Sequence, residues 1–268
     1  MDKPRIRCEI RDGIAEVMLT RGDKLNALDR AMFGAIDETL NQLARQKGLR
    51  AVILHGEGRA FCAGLDVKSM LRQPVAALEI LRREADEATN LAQRVAYGWH
   101  QLPVPVIAVT QGVCFGGGLQ IALGADFRFS TPDCRFSVME IKWGIIPDMS
   151  GSVTLRNLMG VDVAMELAMS GRELDAQEAR ALGLVSRVCE DPLDAAREFA
   201  RTLITKSPDA LAGIKQLCHQ AWARSDEVML KEETRLQQQI LGRPNQWRAT
   251  LNSLFRWRLP FGPRRNAL

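Results

Sequence analysis

With 268 residues, 46% of them hydrophobic and 25% charged, the chain has the composition of a globular protein with a sizeable core, either one large domain or one domain with an appendage. A net charge of +4 is too small to imply a nucleic-acid partner, and no apolar run reaches the ~18 residues that span a bilayer. The N-terminus has no apolar signal region, and six cysteines occur without a C-x-x-C pair or a histidine at metal-ligand spacing. The expectation is a cytoplasmic protein with structural thiols and no metal.

Ile6–Ile10 and Ile14–Thr20 alternate apolar and polar residues around Arg11-Asp-Gly13, a hairpin with Asp-Gly at its turn. Asp29 suits the N-cap of a helix over 31–46, whose apolar positions Met32, Ile36, Leu40 and Leu43 fall on one face. Ala51–His55 is the next strand, so the helix is part of a crossover unit. A second loop, Arg59–Met70, carries Gly64, and a long helical pattern occupies 74–101.

Pro105–Thr110 reads as a buried strand, followed by Gly116-Gly-Gly118 at the entrance of a helical segment, Leu119–Leu123. Glycines there leave backbone N–H groups open to an approaching ligand, where they favour developing negative charge. Glu140 and Asp148 follow in apolar company, so a backbone anion site with two carboxylates nearby is suited to moving protons on a carbonyl compound. Further strands are expected near 126–130, 135–138 and 184–189, with short helices at 155–159, 163–170 and 176–182. Beyond Pro192 four helical patterns follow without a strand, giving a body over residues 1–200 and a helical appendage over 201–268.

Five segments, in order, resemble the crotonase family, the enoyl-CoA hydratases and isomerases. Leu25-Asn-Ala-Leu28 is similar to its N-A-[LM] loop, and Phe61-Cys-Ala-Gly-Leu-Asp-Val-Lys68 to its A-F-x-A-G-x-D-[IV]-K segment. Cys114-Phe-Gly-Gly-Gly-Leu-Gln120 resembles G-G-G-x-[ED], Asp126 falls in the C-D-[IL] strand, and Phe136–Gly144 resembles F-x-x-P-E-x-x-x-G with Met139 for the proline. The resemblance implies an α/β spiral of repeated ββα units, a helical C-terminal region that makes homotrimers or hexamers, and a CoA thioester as substrate with no further cofactor. It places the oxyanion hole on the N–H groups of Ala63 and Gly117. Lys24 and Ala27 of the early loop, then Leu65, Asp66 and Lys68 of the second, are expected around the acyl-CoA.

Family hydratases carry two glutamates; here the first position is Gln120, about one turn of helix from Gly117 and so on the same face. An amide hydrogen-bonds but exchanges no proton at neutral pH, which suits it to positioning substrate or water. Glu140 retains the second position, and Asp148 matches the aspartate that dienoyl-CoA isomerases carry there, although it is equally placed to cap a helix near Ser150. Asp66 is expected to hold its loop through backbone hydrogen bonds, and His55, His100 and His219 to be structural. Residue chemistry thus favours a double-bond shift over hydration, with Glu140 as the base and Asp148 as a second acid. The alternative is a weakly catalytic homologue that binds CoA thioesters or RNA.

Overall fold

Asp12 and Gly13 both adopt positive φ, 52° and 78°, the pairing that a two-residue hairpin turn requires. They join β1 (Ile6–Arg11) to β2 (Ile14–Leu19) with Arg11 opposite Ile14. The alternation of β2 buries Ala15, Val17 and Leu19 completely, whereas β1 is a largely exposed edge strand. The computed structural model describes residues 4–72, 74–221 and 223–265. Helix α1 (Arg30–Arg45) begins where expected: Asp29 accepts from Met32 N at 2.8 Å, and Met32, Phe33, Ile36, Leu40 and Leu43 form its buried stripe. It returns the chain to β3 (Ala51–Gly56), which pairs parallel with β2.

The helical pattern over 74–101 is not one helix. After α2 (Val67–Arg72) and α3 (Pro74–Leu81) the chain leaves helical geometry, and α4 (Leu91–Gln101) starts anew. Residues 82–88 are exposed and charge-rich, so no apolar stripe anchors a helix there. At the restart Asn90 accepts from Gln93 N at 2.8 Å, while Gln93 Oε1 accepts from Asn90 N at 3.1 Å. This reciprocal cap implies that Asn90→Ala will cost about 1 kcal/mol in a denaturant titration.

Strands β4 (Val106–Thr110) and β5 (Val113–Phe115) lead to α5 (Gly117–Leu123), β6 (Phe127–Ser130) and β7 (Arg135–Ser137). Then come α6 (Gly151–Leu155), α7 (Val161–Ser170), α8 (Ala176–Ala181) and β8 (Arg187–Val188). The six-stranded sheet has the order β1-β2-β3-β4-β6-β8, parallel apart from the hairpin, while β5 and β7 pair separately. Isolated bridges Leu28–Leu65, Cys62–Cys114 and Phe136–Leu174 extend that second ladder. Successive ββα turns therefore stack their loops beside one another, which brings residues 25–28, 62–66, 114–117 and 136–140 together. The last expected strand shortens to two residues, because only the end of β6 offers it a partner.

Helix α9 (Pro192–Ile204) runs through the expected boundary at 200. Its Ala196 and Ala200 are fully buried in a cluster with Ile53, Ile107 and Phe129, so it belongs with the sheet. The tail is α10 (Pro208–Ala221), α11 (Asp226–Ile240) and α12 (Pro244–Phe255). A buried ion pair joins it to the body: Lys215 Nζ lies 2.8 Å from Asp126 and donates to the carbonyls of Val104 (2.9 Å) and Trp99 (3.2 Å). His219 Nε2 sits 2.9 Å from the same carboxylate, and its ring stacks on His100 at 3.6 Å. Burial pushes His100 down to about 4, with His219 and Lys215 adding to the effect, so this ring is neutral near pH 7. An apolar cavity of about 450 Å³ adjoins the contact, against Leu123, Phe127, Leu158, Leu211 and Ile214. It contains none of the residues expected to meet a thioester.

Candidate active site

The early loop is held open by two left-handed residues, Leu25 (φ 51°) and Asn26 (φ 54°). Asn26 is fully buried; its amide donates to the carbonyls of Ala60 (2.9 Å) and Glu57 (3.0 Å), and its oxygen accepts from Arg21 N at 2.9 Å. Arg21 donates to the Ala27 carbonyl at 2.9 Å and pairs with Asp66 at 2.8 Å, tying the first loop to the second. Arg21 was not singled out from sequence, and Asn26 entered only as the asparagine of the N-A-[LM] loop, although an asparagine tolerates left-handed backbone well and so carried a local signal. Asp66 accepts from Ser69 N at 3.0 Å, the loop-holding role expected of it. Lys24 and Lys68 are exposed, on a 3-10 turn and on the first turn of α2, while Ala27 and Leu65 are half-buried.

One assignment is corrected by the hydrogen bonding. Ala63 N donates to the Leu25 carbonyl at 2.9 Å, so this N–H is occupied and points into the early loop. Around it the bridge is completed by Leu28 N to Gly64 O (2.8 Å) and Asp66 N to Leu28 O (3.0 Å). Among the described residues the Leu65 N–H between them has no partner, and neither has Gly117 N–H at the start of α5. In the parallel Leu28–Leu65 bridge Gly64 O and Asp66 N point to the early loop, so the Leu65 N–H between them points away, and the left-handed Gly64 breaks the alternation that would otherwise align it with Ala63. The two loops touch: a Cβ built on Gly64 would stand 2.8 Å from Phe115 O and 3.6 Å from Gly117 N. Gly64 has φ +85°, a second reason for a residue without a side chain here.

Glu140 opens a 3-10 turn over 140–143 that follows β7, and it is buried with 6% exposure. Its Oε1 would lie 3.4 Å from a Cβ on Gly116, which sets the carboxyl against the start of α5. Gln120, one turn along α5 and equally buried, donates from Nε2 to Glu140 Oε1 at 2.6 Å. Glu140 Oε2 is buried and without a partner among the described residues. Burial raises Glu140 above the usual carboxylate range; Asp148 adds to this through space, and the Gln120 hydrogen bond offsets part of it. Asp148 is half-buried and is raised by burial too. It makes no capping bond: the residue before α6 is Ser150, in left-handed backbone and with no side-chain cap.

A spiral of ββα turns whose stacked loops bring two unpartnered N–H groups and a buried carboxylate together is the architecture of the crotonases, which act on acyl-CoA thioesters. The chain belongs to the enoyl-CoA hydratase/isomerase family, whose model matches residues 9–247. It is 31% identical over 258 residues to the 1,2-epoxyphenylacetyl-CoA isomerase of Escherichia coli K12, covering 95% of this chain and 97% of that one. The crystal structure of an enoyl-CoA hydratase from Mycobacterium tuberculosis H37Rv superposes with a TM-score of 0.85 at 27% identity, covering 97% of this chain and 99% of that one. An enoyl-CoA hydratase from Polaromonas sp. JS666 superposes with a TM-score of 0.85 at 27% identity, over 96% and 99% of the two chains. Among the described residues no helix is long and apolar enough to cross a membrane, and no three His, Cys, Asp or Glu side chains are grouped to hold a metal.

Proposed function

We propose that this family member shifts the double bond of an enoyl-CoA thioester by proton transfer. The observation that carries the reading is the buried Glu140 carboxyl with one free oxygen, beside a Gln120 whose oxygen accepts two backbone N–H groups and whose nitrogen donates to Glu140. Glu140 Oε2 takes the proton from C2 of a 3-enoyl thioester, and the electron pair passes through the carbonyl carbon to the thioester oxygen. The N–H groups of Leu65 and Gly117 stabilise that oxygen; losing one such donor typically costs ~3 kcal/mol. The enolate collapses as C4 is reprotonated by Glu140 or by Asp148, giving the conjugated 2-enoyl product with no net gain of atoms. No cofactor enters beyond the CoA of the substrate.

Hydration needs a second group to activate and orient water. Gln120 is not such a group: its oxygen already accepts two backbone N–H groups, one of its two N–H donors goes to Glu140, and an amide takes no proton from water. The 1,2-epoxyphenylacetyl-CoA isomerase among the relatives is also named for an isomerisation. The exposed apolar residues Ile141, Trp143, Ile145 and Ile146, next to Glu140, and Leu254, Phe255 and Trp257 in the tail support self-association into a homotrimer or hexamer.

Presenting the protein with a 3-enoyl-CoA should produce conjugated-enoyl absorbance, while crotonyl-CoA should keep its own. Loss of the crotonyl absorbance at a comparable rate would replace isomerisation by hydration. The pH dependence follows from the buried base. Only ionised Glu140 accepts the proton, and its folded-state pKa is raised, so kcat/KM should climb with pH through a limb above ~4.3, the ordinary glutamate value. The sign for stability is opposite: the contribution of this group is complete below its unfolded pKa and is lost as pH rises through the folded one. A rate profile already flat at that ordinary value would contradict Glu140 as the base.

A further inference from the structure

Gln120 makes contacts that neither bind substrate nor merely fill space. Its Oε1 accepts from Met149 N and from Gly151 N, both at 2.9 Å. Two backbone donors on one oxygen fix which end of the amide is which, so the NH₂ must face Glu140, where it donates to Oε1 at 2.6 Å. The backbone crowds the amide closely: a Cβ built on Gly151 would stand 2.8 Å from Gln120 Oε1. One side chain on α5 therefore clamps the 3-10 turn that carries Glu140 and the 149–151 turn that follows Asp148.

We propose that Gln120 is a positioning residue: a fixed amide bracket that ties down Oε1 of Glu140, reserves Oε2 for the migrating proton, and keeps the Asp148 turn in register with it. The inference rests on Glu140 being the base of the proposed double-bond shift. It also gives the glutamine a positive role. A carboxylate at 120 would accept the same two backbone N–H groups but would meet Glu140 Oε1 with another negative oxygen, unless a proton were shared between them. The amide supplies a permanent donor, so Glu140 ionises without competing for that proton. Asp148 is the ionisable group that acts on Glu140 through space, and the remaining contacts come from Gln120 and from the backbone of residues 139 and 140.

The test uses two substitutions in the full-length protein, Gln120→Met, which keeps the shape and removes every hydrogen bond, and Gln120→Glu, which keeps the acceptor side. Glu140 is followed directly by ¹³C NMR of labelled glutamate carboxyls, its signal assigned by its absence in Glu140→Gln, and turnover of a 3-enoyl-CoA is followed against pH. In Gln120→Met the Glu140 titration should move up by about one to two pH units, the worth of one hydrogen bond to a charged group. Its kcat should fall by roughly 10²-fold with KM changed far less. In Gln120→Glu two coupled titration steps should appear, with activity confined to the singly protonated window and a new descending limb at higher pH. An unmoved Glu140 midpoint in Gln120→Met overturns the inference; if that variant does not fold, a single uncoupled step in Gln120→Glu does so. A wild-type protein that shifts no double bond, with the Glu140 midpoint still moved in Gln120→Met, would overturn the reaction and leave the bracket standing.

Discussion

Glu140→Gln is expected to lower turnover of a 3-enoyl-CoA by about 10²–10⁴-fold, the usual weight of a general acid–base group, with acyl-CoA binding retained. The substitution is nearly isosteric, so packing around the buried side chain persists, but an amide cannot accept the C2 proton. It also sets a second amide against Gln120, whose own orientation is dictated by Met149 and Gly151. The variant amide satisfies Gln120 Nε2 with its oxygen and turns its NH₂ toward the position of Oε2. A stopped-flow measurement of conjugated-enoyl formation beside calorimetric titration with an acyl-CoA separates the two effects. Turnover within tenfold of wild type would remove Glu140 from the chemistry.

Gly64→Ala should be nearly as damaging although it touches no reacting group. At φ +85° an alanine is strained, and its methyl would stand 2.8 Å from the Phe115 carbonyl, a backbone atom that cannot swing aside. The strain alone costs of order 1–3 kcal/mol, to be read as a lowered midpoint in urea. To relieve the contact, the Ala63–Asp66 loop must move away from α5, carrying Leu65 N–H out of reach of an oxygen also held by Gly117. Displacing one oxyanion donor is worth about 10²–10³ in kcat. A folded Gly64→Ala with wild-type kcat would show that Leu65 N–H is not a donor to the transition state.

Much of this was legible from residue order alone, and the reasons are local. The Asp12-Gly13 turn, the Asp29 cap and the buried stripe of α1 each follow from a few consecutive residues. The paired glycine loops and Glu140 were recognisable through their resemblance to the crotonase segments, with the apolar neighbours of Glu140 in support. The break at residues 82–90 was missed: helix-compatible residues continue through it, and only the absence of a buried face ends the helix. Likewise the boundary expected at 200 falls within α9, which runs on to Ile204.

What the amino-acid order determined, through its resemblance to the crotonases, was the spiral, the loops that make up the site, and the amide at residue 120 where family hydratases carry a carboxylate. Which backbone N–H groups are free was decided only by the tertiary structure. Ala63 and Leu65 lie two residues apart in the same segment, and only the arrival of the Leu25 carbonyl, 38 residues back, engages one and leaves the other open. The partners of Gln120 were decided in the same way. Its partners Glu140, Met149 and Gly151 come from two later turns of the chain, and their directions fix an amide that sequence alone assigned to substrate or water. Hydrogen-bond direction depends on angles between segments distant in sequence, which no local pattern encodes.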